Sequence, residues 1–266
     1  MLTIRPNKKK MNKLSNKTVL ITGASSGIGA ACAQAFADRG ANLILCARRQ
    51  QRLDELTQRL KTSHVDIHTL KLDVTQASEV NQQLNHLPER WQTIDILLNN
   101  AGLAAGLDPV QEGNIDDWER MIDTNIKGLL YVTRAILPNM VKRDSGHIIN
   151  IGSTAGHEVY PKGAVYCASK HAVNALTRGF KMDLLGSQVR VSSVDPGITQ
   201  TEFYQVRFHG DQKKADATFT GMTPLSAQDV ADAVIYCATR PAHVNISEMI
   251  ILATDQSSAW SVHRRS

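Results

Sequence analysis

The strongest constraint on the fold is an alternation. Short aliphatic runs take turns with longer stretches of helical period, beginning "TVLITG", "GIGAACAQAFADRG", "NLILCA". The pattern continues with a charged helix in "RRQQRLDELTQRLKT", a strand in "DIHTLKLDV", a helix in "ASEVNQQLNHLPERW" and a strand in "IDILLNNAG". One long helix then reads from "DDWERM" to "NMVKR", followed by a strand in "GHIINIGS", a helix in "AVYCASKHAVNALTRGFKMDLLG" and a strand in "VRVSSVDPG". "SAQDVADAVIYCATR" predicts a last helix with Ser226 as its N-cap, and "ISEMIIL" a last strand. Unbroken Ile, Leu and Val runs suit strands covered on both faces. The expectation is therefore an α/β chain with a doubly wound parallel sheet of about seven strands and helices on both faces.

At 266 residues and 42% hydrophobic composition, one sizeable core suffices, and a single domain over residues 17–266 is expected. Residues 1–16, with Lys8 to Lys10, read as a solvated basic tail, and Met11 is an alternative start. From Ile198 to about residue 224 the period dissolves into Gly, charge and aromatics, which predicts a substrate loop or lid. The formal charge of +5 is spread along the chain without zinc-finger spacing or RNA-binding aromatics, so no nucleic-acid partner is expected. Four scattered cysteines, no C-x-x-C pair, no secretory h-region and no long apolar span point to a cytoplasmic protein without a membrane partner.

"VLITGASSGIG" passes from a strand through Gly23, Gly27 and Gly29 into a helix. A pyrophosphate at a helix N-terminus is held by backbone N–H groups and the helix dipole, and residues without a Cβ let the backbone approach it. Ser25, Ser26 and Ile28 belong to the same turn. The second strand ends in Ala47, Arg48 and Arg49, where an acid would select NAD; two guanidiniums and no carboxylate favour NADP. Asp73, with Val74 after it, ends the third strand and either accepts from the adenine amino group or caps a turn.

In "YCASK" Tyr166 and Lys170 are four apart, hence on one helix face, and a nearby ammonium is expected to favour the phenolate. Ser153 follows a buried strand at its carboxyl end, where ligands of open α/β sheets bind. It is not read as a nucleophile: no His is assignable as its base and no G-x-S-x-G surrounds it. His157 reads as part of the pocket rim.

"TGASSGIG", "NNAG", "DTNIKG", Ser153, "YCASK" and "DPG" occur in an order and spacing that resembles the short-chain dehydrogenases/reductases, from about residue 17 to residue 252. The resemblance implies a Rossmann fold and an oxidoreductase using NADP, with a small-molecule substrate and no metal. It also implies that Tyr166 exchanges a proton with the substrate oxygen, Lys170 holds the nicotinamide ribose, Ser153 polarises the carbonyl and Asn125 holds a relay water. Asn100, Ala101 and Gly102 then line the adenosine. Pro196 and Gly197 form the turn under the nicotinamide, Ile198 offers backbone to its carboxamide and Thr201 its hydroxyl. A homotetramer pairing the helix at Tyr131 to Val141 and the strand at Glu248 to Leu252 follows by the same analogy.

"GLAAGLDP", "DDWERMIDTN" and "EFYQVRFHGD" are similar to one branch of that family, the NADP-dependent 3-hydroxy acid dehydrogenases, which act on serine and allo-threonine and reduce malonic semialdehyde. A substrate carboxylate wants a guanidinium, and Arg207 in the lid is the candidate; it equally suits an ion pair inside the loop or a place in solvent. A broad carbonyl reductase for ketones or aldehydes is the second reading, and a non-catalytic NADP-binding sensor the third.

Overall fold

The protein is described from a computed structural model covering residues 14–265, so the Lys8 to Lys10 run lies outside the described residues. The strands are β1 (Thr18–Thr22), β2 (Asn42–Ala47), β3 (Ile67–Lys71), β4 (Ile96–Asn99), β5 (Gly146–Ile151), β6 (Val189–Pro196), β7 (Thr199–Gln200), β8 (Leu225–Ser226) and β9 (Glu248–Ile251). Seven of them form one sheet in the order β3-β2-β1-β4-β5-β6-β9, every neighbouring pair parallel, while β7 and β8 pair separately. The order turns back between β1 and β4. That switch point opens a crevice at the carboxyl ends of the strands, where a ligand can enter without breaking a ladder.

The helices are α1 (Gly27–Ala37), α2 (Gln50–Leu60), α3 (Ala77–Asn85), α4 (Ile115–Ile122), α5 (Leu129–Lys142), α6 (Ala164–Asp183), α7 (Phe203–Arg207), α8 (Gln212–Ala217) and α9 (Ala227–Ala238). Along β1, Val19 and Ile21 face a core closed by α1, α2 and α9, while Leu20 faces a second core closed by α3 and α5. Strand side chains alternate between faces, so a strand covered on both sides needs an apolar residue at each position, as the sequence pattern implied.

Two helices depart from the sequence reading. "ASEVNQQLNHLPERW" is not one helix: α3 stops at Asn85, and a short 3-10 turn covers Glu89–Trp91. Pro88 has no N–H to continue the ladder and crowds the residue before it. The long helix is continuous from α4 to α5, but Asp123–Gly128 is a π-helical turn with Asn125 buried inside it. A Cβ on Gly128 would stand 2.7 Å from Val74 Cγ2, so this wider turn packs closely on the loop after β3.

Residues 198–224, expected to be a substrate loop, carry β7, α7 and α8, with β7 pairing to β8 just beyond, and the C-terminal tail ties the segment down. Asp255 accepts from Thr223 N at 2.8 Å and from Arg265 Nη2 at 2.5 Å, and Arg265 N donates to Gly221 O at 2.7 Å. Ser226 caps α9 as expected, with a reciprocal capping box to Asp229. Ser226→Ala should lower unfolding stability by about 1 kcal/mol. Phe36→Ala, emptying a wholly buried position on α1, should cost about 3–5 kcal/mol, and urea unfolding of both variants against wild type measures the two losses.

Candidate active site

A cleft of about 590 Å³ opens over the carboxyl ends of the strands. Its floor is the turn after β1. Gly23 has φ +65°, and a Cβ there would lie 2.9 Å from Ala101 Cα; a Cβ on Gly29 would overlap Gly23 O and stand 2.5 Å from Asn100 Nδ2. Gly23 faces the cleft with Ser25, Ser26, Gly27 and Ile28, whereas Gly29 lies behind it, where α1 crosses the turn. Asn100 donates from Nδ2 to Thr22 O at 2.9 Å, and Thr22 Oγ1 accepts from the N–H groups of Asn100 and Ala101 at 3.0 Å. A close-fitting cradle at the start of α1, with no room for side chains, fits a pyrophosphate.

At the end of β2, Arg48 and Arg49 border the cleft. Arg49 Nη2 donates to Ser25 Oγ at 3.2 Å and Ser26 Oγ at 3.0 Å. Its Nη1 lies 3.4 Å from Glu202 Oε2, and Arg52 Nη1 meets both Glu202 oxygens at 2.6 and 2.7 Å. The Arg52 hydrogen bond, foremost, holds the Glu202 carboxyl below its ordinary range. Asp73 lines the cleft beside Val74 and caps a turn, accepting from Thr75 N at 3.0 Å and Thr75 Oγ1 at 2.9 Å.

At the other end Ser153, Tyr166 and Lys170 line one wall. Ser153 extends past β5, its Oγ accepting from Ala155 N at 3.1 Å. Tyr166 and Lys170 share a face of α6, with Nζ 6.0 Å from the phenol ring centre and donating to Ile151 O at 2.9 Å. The expected lowering of the Tyr166 pKa by Lys170 is not found. Burial pushes the phenol well above 10.0, with Tyr160 adding to the rise, while a hydrogen bond with Ser153 and the charge of Arg207 pull down less strongly. Burial also pushes the Lys170 ammonium down to about 8, against the pull of Asp195. Asn125 does not line the cleft; its Oδ1 accepts from Leu103 N at 2.9 Å, and its Nδ2 donates to Leu103 O at 2.8 Å and Ser169 Oγ at 3.0 Å.

Arg207, at the end of α7, is 5% exposed and borders the cleft. Its guanidinium lies 5.6 Å from the Tyr166 ring centre, and Nη1 donates to Tyr160 Oη at 2.9 Å. Its Nε and Nη2 are buried without a partner, and it makes no ion pair among the described residues, so neither a loop salt bridge nor solvent accounts for it.

Two readings need correction. Ile198 does not hold its N–H free: the Gln256 side chain accepts it at 2.8 Å, and Ile198 O accepts from Leu225 N at 3.0 Å. The C-terminal tail brings a primary amide to the cleft that sequence separation concealed. His157 is not at the rim; its Nε2 pairs with the wholly buried Asp195 at 2.7 Å, beneath the cleft wall. Pro196, Gly197, Ile198 and Thr201 do border the cleft, as do Asn100, Ala101 and Gly102.

Residues 17–212 match the short chain dehydrogenase family. The chain belongs to that family. It is 45% identical over 249 residues, 93% of this chain and 99% of the relative, to the NADP-dependent 3-hydroxy acid dehydrogenase YdfG of Escherichia coli. It is 47% identical over 248 residues, 92% of this chain and 98% of the relative, to sulfoacetaldehyde reductase 2 of Chromohalobacter salexigens. The closed form of a serine dehydrogenase complexed with NADP⁺ superposes with a TM-score of 0.88 at 45% identity, covering 93% of this chain and 100% of that one.

In this short-chain dehydrogenase, Tyr160, Glu202 and Gln256 are site residues that pattern reading missed. Glu202 opens the quoted stretch "EFYQVRFHGD" without a role assigned to it, Tyr160 and Gln256 lie outside the quoted motifs, and each reaches the cleft through tertiary folding. The Lys170 shift carries a stability consequence. The unfolded ammonium titrates near 10.5 and the folded one near 8, so between those values the unfolded chain binds more protons and stability rises with pH. Wild type should therefore gain stability relative to Lys170→Met as pH increases across that window, read from denaturant unfolding at matched pH.

Proposed function

We propose that this enzyme oxidises short 3-hydroxy acids with NADP⁺, or reduces the corresponding semialdehydes with NADPH. The observation that carries the substrate class is Arg207, which borders the reacting end of the cleft and has two buried nitrogens without a partner. A buried guanidinium is costly unless an anion completes it, and a pocket for uncharged ketones gives it no use. A substrate carboxylate supplies two acceptors in the geometry that Nε and Nη2 offer. A sulfonate presents the same kind of anionic oxygens to a guanidinium, and one relative is named a sulfoacetaldehyde reductase.

The residues present fit NADP. The Gly23 turn would receive the pyrophosphate, Arg48 and Arg49 the 2′-phosphate, Asp73 and Val74 the adenine, and Thr201 and Lys170 the nicotinamide half. When bound, the nicotinamide supplies the hydride acceptor or donor. Arg207 anchors the acid group and thereby orients the substrate's C3 hydroxyl toward Tyr166. Ser153 Oγ shares that hydroxyl oxygen, and Tyr166 Oη takes its proton in oxidation or returns one in reduction. Lys170 Nζ, whose ammonium burial has weakened, is the group through which that proton continues. Asn125 holds the bent helix against Leu103 and Ser169 beside this path. A homotetramer through α5 and β9, in a cytoplasmic setting, belongs to the same reading; exposed Val141, Ile250 and Leu252 support it.

The test compares NADP⁺ reduction with 3-hydroxypropionate and L-allo-threonine against propanol-type alcohols lacking the acid. Activity is expected to be far higher with the acids, and Arg207→Ala should lower kcat/KM for them by about 10²-fold, a much larger loss than for the alcohols. An unchanged preference overturns the Arg207 assignment. Tyr166→Phe should reduce kcat by about 10²–10⁴-fold while NADPH binding, followed by fluorescence, is retained.

A further inference from the structure

The lid residue Glu202 brings a carboxylate to the end of β2, where the sequence alone shows only cations. It borders the cleft, and both its oxygens accept from Arg52 Nη1, at 2.6 and 2.7 Å, while Arg49 Nη1 lies farther off at 3.4 Å. Arg49 simultaneously reaches both serine hydroxyls of the β1–α1 turn. All three side chains are partly solvent-accessible, between 39% and 47% exposed, so the cluster is a rim feature and not a buried brace. A carboxylate and a phosphate present the same planar pair of acceptors to a guanidinium, and two such anions cannot share Arg49 without repulsion.

We propose that Glu202 is an internal anion occupying the 2′-phosphate subsite, so that it sets how strongly the enzyme prefers NADP over NAD. It holds Arg49 turned toward Ser25 and Ser26 before cofactor arrives, and the 2′-phosphate must displace it. Its removal therefore favours ligands carrying that phosphate. The inference rests on the reading of Arg48 and Arg49 as the phosphate site. A competing chemistry is that the Glu202 carboxylate accepts from a ribose 2′-hydroxyl, as an acid at this place does in NAD enzymes.

Calorimetric titration with adenosine 2′,5′-bisphosphate and with AMP separates these cases, since both probes lack the nicotinamide. Wild type should bind the bisphosphate more tightly. Glu202→Gln and Glu202→Ala should each tighten it further by about three- to tenfold, the scale of one or two exposed ion pairs, with AMP unchanged. The gain should shrink at raised salt. Bisphosphate affinity that is unchanged or weaker in both variants overturns the proposal, and weaker AMP binding assigns Glu202 to the ribose hydroxyl instead. Equal affinity of wild type for the two probes overturns the cofactor reading on which the proposal stands. Thermal melts of the variants, expected to match wild type within about 2–4 °C, show that the fold is not what changed.

Discussion

The exchange of hydrogen bonds between Thr22 and Asn100 fixes the geometry on which the rest of the cleft depends. A parallel sheet leaves the backbone groups at its carboxyl edge without a further strand partner, and there they must be satisfied by side chains. Thr22 Oγ1 takes the N–H groups of Asn100 and Ala101, while Asn100 Nδ2 covers Thr22 O and reaches Gly23 O at 3.2 Å. The ends of β1 and β4 are thereby locked across the switch point. The locking leaves no space for a Cβ on Gly23 or Gly29, and the same lack of side chains lets a phosphate approach the start of α1. A second buried polar seam lies deeper in the sheet: Asn99 Nδ2 donates to Asn150 Oδ1 at 2.9 Å and Thr133 Oγ1 at 3.0 Å, and Asn150 Nδ2 donates to Thr177 Oγ1 at 2.9 Å. It ties β4 and β5 to α5 and α6, so the wall bearing Tyr166 is registered against the strand that ends in Ser153.

Burial then tunes the reacting end. Tyr166, Lys170, Asp195 and Arg207 are all withdrawn from water within one region. Desolvation raises the phenol and the Asp195 carboxyl and lowers the Lys170 ammonium, each shift working against the charged form. His157 and Ser193 offset part of the cost at Asp195 by hydrogen bonding to it. Arg207 has no comparable relief, since Tyr160 satisfies one of its nitrogens and leaves two buried without acceptors. An anion entering beside Arg207 therefore changes the electrostatics of Tyr166 as well. It satisfies the guanidinium and at the same time cancels part of the positive charge that pulls the phenol pKa down.

Local chemistry made most of this readable from the chain. Gly23 is legible from its strand-to-helix turn and Tyr166 and Lys170 as neighbours on one helix face, their roles and that of Ser153 came only with the family resemblance, and Ser226 announces α9 through a side chain three residues from its partner. The failures share a different cause. Pro88 outweighs an apolar period that runs through it. The Tyr166 shift depends on how much water the fold removes, which spacing does not encode. Gln256 on Ile198 and Glu202 on Arg52 join residues 58 and 150 positions apart, and the pairing of His157 with Asp195 spans 38. Contacts at such separations follow from topology, and no periodicity records them.

The lid concentrates these long-range contacts in very little chain. Glu202 precedes α7 directly and Arg207 ends it, a helix of five residues. Gly106 N donates to Arg207 O at 2.9 Å, which pins the far end of α7 to the loop after β4, while Glu202 pins the near end to α2. A helix this short has too few internal hydrogen bonds to hold its position alone, so these two anchors and the aromatic contacts of Phe203 and Tyr204 place it. Glu202, which meets the guanidiniums of the arginine rim, and Arg207, which borders the substrate wall, thus stand at the two ends of one short helix. The places of Glu202 and Arg207 are therefore set by contacts that α7 makes across the chain, not by the helix's own hydrogen bonds.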